Sequence, residues 1–270
     1  AHVLDLSLAI PGRDEAGDMA RTVQGFAADL DIPLMLDSTS FEALEAGLAA
    51  SGGRAIVNSI SLENGEGPFL RVAEMARRYG AALVILAIDE EGMARSRTRK
   101  LEVALRSLAL LEKLGFREAD LIFDMLTFSL ASGEETDMNP ALETLEAIAL
   151  LKARHPGCST ILGVSNVSYG LKPGLRKVLN SVFMSEAVAR GLDMAIVDAR
   201  AIMATGSIDV PLQDLCRKLV TAKQNLDQVL MDYIGTAGEY AEGHRIRKDG
   251  DKGEPASARQ IRRPSMIAGN

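Results

Sequence analysis

Short apolar runs alternate along the whole chain with longer stretches of helical period. Runs rich in Val, Ile and Leu predict strands at His2–Ser7, Pro33–Asp37, Arg54–Ser59, Ala82–Asp89, Leu121–Asp124, Thr160–Asn166 and Met194–Asp198. Amphipathic patterns between and after them predict helices at Phe41–Ala50, Gly67–Tyr79, Thr98–Leu114, Pro140–Arg154, Leu175–Arg190 and Gln213–Tyr240. Strand and helix in such regular alternation imply parallel strands joined by crossover helices, and strands that read as continuous apolar runs are covered on both faces. About seven units is one short of a (β/α)8 TIM barrel, whose usual length of roughly 250 residues is close to that of this chain. An open doubly wound sheet is the alternative. No GxGxxG turn follows the first strand, which removes the commonest reason to prefer it.

The ends of the strands break the apolar pattern. Asp5, Asp37, Asn58, Asp89, Asp124, Asn166 and Asp198 each stand at or near the close of a predicted strand. In a (β/α)8 barrel those ends surround one mouth, where active sites lie. Helix capping is the competing reading, and it weighs equally for Asp89 and Asp198. It is weaker for Asp37, because Ser38, Thr39 and Ser40 follow and can cap the helix beginning near Phe41. Asn166 in "TILGVSNVSYGL" precedes a better cap candidate at Ser168, so its amide is left for something else.

Composition narrows the class. The 270 residues are 47% hydrophobic and 25% charged, with a net charge of −7, which argues against a nucleic-acid-binding face. No apolar run approaches the roughly 20 residues of a membrane span, and no signal-like segment opens the sequence, so cytoplasm is the expected location. Cys158 and Cys216 lie far apart without a CxxC or a Cys/His cluster, so they are read as ordinary small residues, not as metal ligands or a disulfide. The basic run "RSRTRK" at Arg95–Lys100 is read as the start of a solvated helix. A ring of carboxylates and amides without His or Cys suits hydrogen bonding to the edge of a planar heterocycle bearing amino and oxo groups, as a pterin does.

The segments "LMLDST", "GGRAIVNSIS", "YGAALVILAIDEEGMA", "DLIFDMLTF" and "TILGVSNVSYGL" closely resemble the pterin-binding domain of cobalamin-dependent methionine synthases. They resemble less closely the methyltetrahydrofolate methyltransferases that act on corrinoid proteins. The resemblance runs from about His2 to Ile208. It implies a (β/α)8 barrel of pterin-binding type, with seven strands (2–8 of the family pattern) over residues 1–208, and methyl transfer from methyltetrahydrofolate to cob(I)alamin. By this resemblance Asp37, Asn58 and Asp124 hold the pterin, Asn166 lies near its N5 nitrogen as the catalytic residue, and Arg176 lines up with a basic residue near the ligand. Gly163 and Ser165 serve by being small. Asp5 belongs to the first motif, but Ser7 stands where the family usually has Asn, which weakens the parallel there.

The corrinoid is expected on a partner protein or domain, because none of His2, His155 and His244 sits in a DxHxxG loop. Two distant cysteines cannot build the zinc site that activates homocysteine. A homodimer is compatible with the resemblance. Residues 209–242 are expected as a C-terminal helix and 243–270 as a polar linker and tail, in which "RRPSMIAGN" (Arg262–Asn270) resembles the family's first strand. Either the tail supplies that strand in a permuted arrangement or the chain is a fragment. Two other functions stay open: a dihydropteroate synthase-like pterin enzyme, although "VSNVSYGLKP" lacks the expected Ser-Arg-Lys-like motif, and a non-catalytic folate-binding module.

Overall fold

The computed structural model describes residues 2–131 and 138–250, with 239 and 241–250 as backbone alone. The chain alternates strand and helix as β1 (Leu4–Ser7), α1 (Glu15–Asp29), β2 (Leu34–Asp37), α2 (Phe41–Ala50), β3 (Ile56–Ile60), α3 (Glu66–Arg78) and β4 (Ala82–Leu86). A small hairpin, β5 (Ile88–Asp89) and β6 (Gly92–Met93), leads to α4 (Arg97–Lys113), β7 (Leu121–Asp124), α5 (Pro140–Arg154), β8 (Ser159–Gly163), α6 (Pro173–Val188) and β9 (Met194–Ile196). Two helices, α7 (Val210–Thr221) and α8 (Leu226–Gly250), follow. Seven strands form one parallel sheet in the order β1-β2-β3-β4-β7-β8-β9. The sheet is curled into a half-barrel: among the described residues β1 and β9 do not pair with each other.

Two apolar compartments follow from the period-2 alternation of strand side chains. On the concave face Met35, Ile56, Ala82, Val84, Ile122 and Ile161 pack together, with Val3, Leu86 and Met194 beside them. On the convex face Leu36, Val57, Leu83, Ile85, Phe123 and Leu162 meet helix residues such as Phe69, Leu108, Leu145 and Leu179. Burying each large side chain of this kind contributes about 1.5–3 kcal/mol. Strands buried on both faces are why the sequence reads as continuous apolar runs.

Local signals place the helix ends. Ser40 caps α2 by accepting from the Ala43 N–H, and Asn139 caps α5 ahead of Pro140. α1 is a further helix beyond those expected; it buries Met19 and Val23, one turn apart, with Phe26 packed beside them.

Three elements differ from expectation. The strand expected over Ala82–Asp89 ends at Leu86 and continues as the hairpin. The strand expected over Thr160–Asn166 ends at Gly163, where the chain tightens into a 3-10 turn over Val164–Ser168. The helix expected over Gln213–Tyr240 is two helices, broken where Asn225 takes a left-handed φ of 54°. α8 continues to Gly250, so the first residues of the expected linker are helical. The strand-like tail Arg262–Asn270 lies outside the described residues.

Candidate functional site

Parallel pairing brings the strand ends to one side. Ser7 lies opposite Asp37 and Asp37 opposite Asn58. Farther around the arc Asp124 lies opposite Leu86 on one side and Ile161 on the other. Each polar residue stands two positions beyond an apolar residue of the concave cluster: Met35 precedes Asp37, Ile56 precedes Asn58, and Ile122 precedes Asp124. The inner face of the sheet is therefore apolar at its floor and polar at its rim, with Leu86 as an apolar interval. Gly163 stands two positions beyond Ile161 on the same face. Asp5 lies one layer below Ser7, and its Oδ1 accepts a long hydrogen bond of 3.4 Å from Asn58 Nδ2.

The carboxyls of this arc have different surroundings. Burial raises the Asp124 carboxyl to about 6, against the pull of the Leu126 N–H and the Lys100 ammonium. The Leu126 N–H donates to Asp124 Oδ1 at 2.7 Å, and Leu126 adopts a left-handed φ of 56° to do so. Asp5 is open to the mouth yet flanked by the sheet. Partial desolvation raises its carboxyl, the Asn58 amide opposes the shift, and the neighbouring Asp37 carboxylate adds to it.

Asn166 is not on a strand. It lies on the exposed side of the 3-10 turn after β8, where a Cβ built on Gly163 would come 3.3 Å from its Nδ2. Gly163 thus lets the amide lie close over the strand end. Ser165 is exposed beside it. Arg176, near the start of α6, reaches back to this turn: its Nε donates to Ser168 Oγ at 3.1 Å and its NH2 group to the Ser165 carbonyl at 3.2 Å. Leu130 N–H donates to the Val167 carbonyl and Ser129 Oγ to the Tyr169 carbonyl, which ties the loop after β7 to the loop after β8.

Two members of the expected ring serve elsewhere. Asp89 lies on the hairpin, buried, where it pairs with Arg99 of α4 and accepts the Glu91 N–H at 3.1 Å. Asp198 is exposed and caps the short turn Ala199–Ala201 by accepting the Arg200 N–H at 2.9 Å. Asp198 follows the capping reading, whereas Asp89 caps no helix: Ser96 caps α4, and Asp89 is held by the hairpin turn and Arg99. Cys158 and Cys216 are buried free thiols, each pushed up to about 12 chiefly by burial. Among the described residues no cluster of His, Cys, Asp and Glu is arranged to hold a metal, and no helix is long and apolar enough to cross a membrane.

Lys100 departs from the expected solvated basic run. Its side chain is fully buried, and its Nζ donates to the Met125 carbonyl and, at 3.0 Å, to the Leu126 carbonyl. The sequence held a signal for this. Lys100 falls on the same helical stripe as Ala104, Ser107, Leu108 and Leu111, all buried. A groove of about 400 Å³ lies at the opposite end of the sheet, lined by residues such as Phe26, Leu30, Pro33 and Gly52. It is largely apolar and has no part in the polar rim, consistent with that end of a barrel serving stability.

Comparisons with known proteins bear on this arrangement. The sequence profile described as "Pterin binding enzyme" matches residues 1–198. A methionine synthase of Mycobacterium tuberculosis (strain ATCC 25618 / H37Rv) is 41% identical over 231 residues, which is 84% of this chain and 19% of that protein. A methionine synthase of Mycobacterium leprae (strain TN) is 42% identical over 212 residues, 77% of this chain and 18% of that protein. The chain therefore spans about a fifth of the length of these curated relatives. Among solved structures, a dihydropteroate synthase from Stenotrophomonas maltophilia with active site-bound imidazole superposes with a TM-score of 0.54 at 19% identity, covering 74% of this chain and 77% of that one. A Yersinia pestis DHPS with a pterine-sulfa conjugate gives a TM-score of 0.51 at 13% identity, covering 82% of each chain. Similarity at that level carries the architecture alone.

Proposed function

The chain belongs to the pterin binding enzymes, and from that membership we propose that it binds 5-methyltetrahydrofolate in the mouth of the half-barrel and passes the N5 methyl group to cob(I)alamin of a partner protein or domain. The observation that carries this reading is the polar rim itself. Asp37, Asn58 and Asp124 stand on the concave face directly above an apolar floor, with Asn166 laid over Gly163 at the far side of the arc. The identity of 41% to a methionine synthase over most of the chain supports the same reaction class.

Each residue has a part that its chemistry allows. The two carboxylates accept from the amino and N–H groups of a pterin edge, and the Asn58 amide donates as well as accepts. Asp5 and Ser7 flank the arc on β1. Gly163 and Ser165 leave room for the ring. The apolar floor below stacks no charge against it and excludes water from the face of the heterocycle. The corrinoid supplies the nucleophile.

The bond that breaks joins the methyl carbon to N5. The electron pair stays on nitrogen, which must gain a proton or a strong hydrogen bond as the methyl group leaves. Asn166 serves there as a hydrogen-bonding group that adapts between acceptor and donor, and it has no proton of tuned acidity to give. Such interactions are worth about 100- to 1,000-fold in rate when they strengthen in the transition state. Arg176 holds the turn that carries Asn166.

Anaerobic mixing of the protein with methyltetrahydrofolate and cob(I)alamin tests the proposal, with the corrinoid absorbance as readout. Methyl transfer faster than in a protein-free mixture is expected. A rate equal to that mixture, with methyltetrahydrofolate bound, leaves the non-catalytic folate-binding alternative. Condensation of a pterin pyrophosphate with aminobenzoate selects the dihydropteroate synthase alternative.

A further inference from the structure

We propose that Lys100 is a positioning residue of the pterin site, whose buried ammonium clamps the carbonyls of Met125 and Leu126 and so fixes the turn that presents the Asp124 carboxylate. The proposal rests on Asp124 reading the pterin. Lys100 is on α4, outside the strand ends, and does not itself line the mouth.

A buried ammonium is costly, with an effective penalty of several kcal/mol even after relaxation. Among the described residues no carboxylate pairs with it directly. Of its three donors, two are spent on successive backbone carbonyls, and the ring centroid of Phe128 lies 4.8 Å from Nζ. Two successive carbonyls converge on one atom only if the chain bends sharply. It does so at Leu126, whose left-handed φ of 56° is unfavourable for a residue with a branched side chain. Thr144 Oγ1 also donates to the Leu126 carbonyl, at 2.7 Å. With the carbonyl held from two sides, the Leu126 N–H turns back to Asp124 Oδ1 at 2.7 Å. The chain of cause runs from ammonium to carbonyls, to turn, to carboxylate.

A neutral donor could satisfy the carbonyls, as Thr144 does for one of them. The charge adds something else. Burial drives the Asp124 carboxyl up, and the Lys100 ammonium is the cation that opposes it. Lys100 is itself pushed down to about 7 by burial, with Asp124 of β7 and Glu143 of α5 holding it up and Arg95, just before α4, acting against it. Glu143 is engaged by the Arg97 N–H at 2.5 Å, and Arg95 faces the same Phe128 ring at 4.9 Å. Below about pH 7, where Lys100 keeps its charge, the ammonium therefore favours the ionised form of Asp124 that accepts from a pterin.

The test compares wild type with Lys100→Met, which keeps the stem, and with Lys100→Gln as a second variant should Met not fold. The dissociation constant of methyltetrahydrofolate is measured from pH 5 to 9, and the Asp124 titration is followed by carbon NMR in ligand-free protein. The ligand's own titration is common to all samples. Expected are an Asp124 midpoint raised by one pH unit or more, binding about threefold weaker near pH 6.5 and about 10-fold weaker near pH 5, and less than a threefold effect of Lys100→Met at pH 5 when Asp124 is already Asn. An unmoved midpoint with a parallel binding profile, or an equal loss in the Asp124→Asn background, overturns the proposal and leaves the site reading standing. Failure of the wild type to bind methyltetrahydrofolate overturns the site reading, and this proposal with it.

Discussion

Replacing Asp124 with Asn should make the fold more stable and the site worse at its task. The carboxyl sits at about 6 because the sheet and the loop after β7 desolvate it. An unfolded Asp titrates near 3.8, and a difference of about two pKa units corresponds to roughly 3 kcal/mol. The sign follows from which state holds the proton more tightly. The folded state does, so the contribution of this group is most favourable below the unfolded value and is lost as pH rises from about 4 through about 6. Above that range the ionised carboxylate costs the fold its full share. Lys100 discharges near pH 7, so alkaline pH brings no relief. Asn has nearly the same shape, keeps an oxygen for the Leu126 N–H, and carries no charge. Urea denaturation should show Asp124→Asn more stable than wild type by about 1–3 kcal/mol at pH 8, shrinking to about 1 kcal/mol or less at pH 4.5. Calorimetry on the same samples should show methyltetrahydrofolate binding weakened by about 1–3 kcal/mol, the cost of leaving polar ligand groups poorly paired. A variant no more stable at pH 8, or one with the same gain at both pH values, refutes the desolvation argument. Unchanged binding removes Asp124 from the pterin site.

Three other substitutions separate chemistry from scaffold. Asn166→Ala should lower the single-turnover methyl transfer rate about 100- to 1,000-fold at saturating methyltetrahydrofolate, with a much smaller change in the dissociation constant; an unchanged saturated rate assigns Asn166 to the turn alone. Arg176→Met removes the bonds to Ser168 and the Ser165 carbonyl, so kcat should fall more than KM rises, and a change in KM alone would argue for direct ligand contact. Tyr233→Phe deletes the buried hydroxyl that donates to the Leu175 carbonyl at 2.6 Å, and thermal denaturation should report a loss of about 1–2 kcal/mol while methyltetrahydrofolate affinity stays within twofold.

The alternation of apolar runs and helical periods was enough to place all seven sheet strands, because strands buried on both faces leave continuous apolar runs and parallel crossovers require helices between them. Motif order and spacing likewise marked Asp37 and Asp124, which close their strands, and Asn58, which stands in the middle of β3. What the sequence could not rank was the direction in which each polar residue faces. Asp89 and Asp198 carry the same local signature as Asp37, and only packing against α4 and the turn at Ala199 sends them away from the mouth. Asn166 reads as the end of a strand, but the backbone leaves the sheet at Gly163 and presents the amide from a turn. For Lys100 the helical stripe carried a signal of burial, but nothing local named its partners. A basic run at a helix start is ordinarily solvated, and the carbonyls that satisfy this one belong to residues 25 and 26 positions away. Sequence pattern is local and reports period and residue type. Burial and the partner of a charge depend on contacts between distant segments, and those exist only once the sheet has curled and the helices have packed around it.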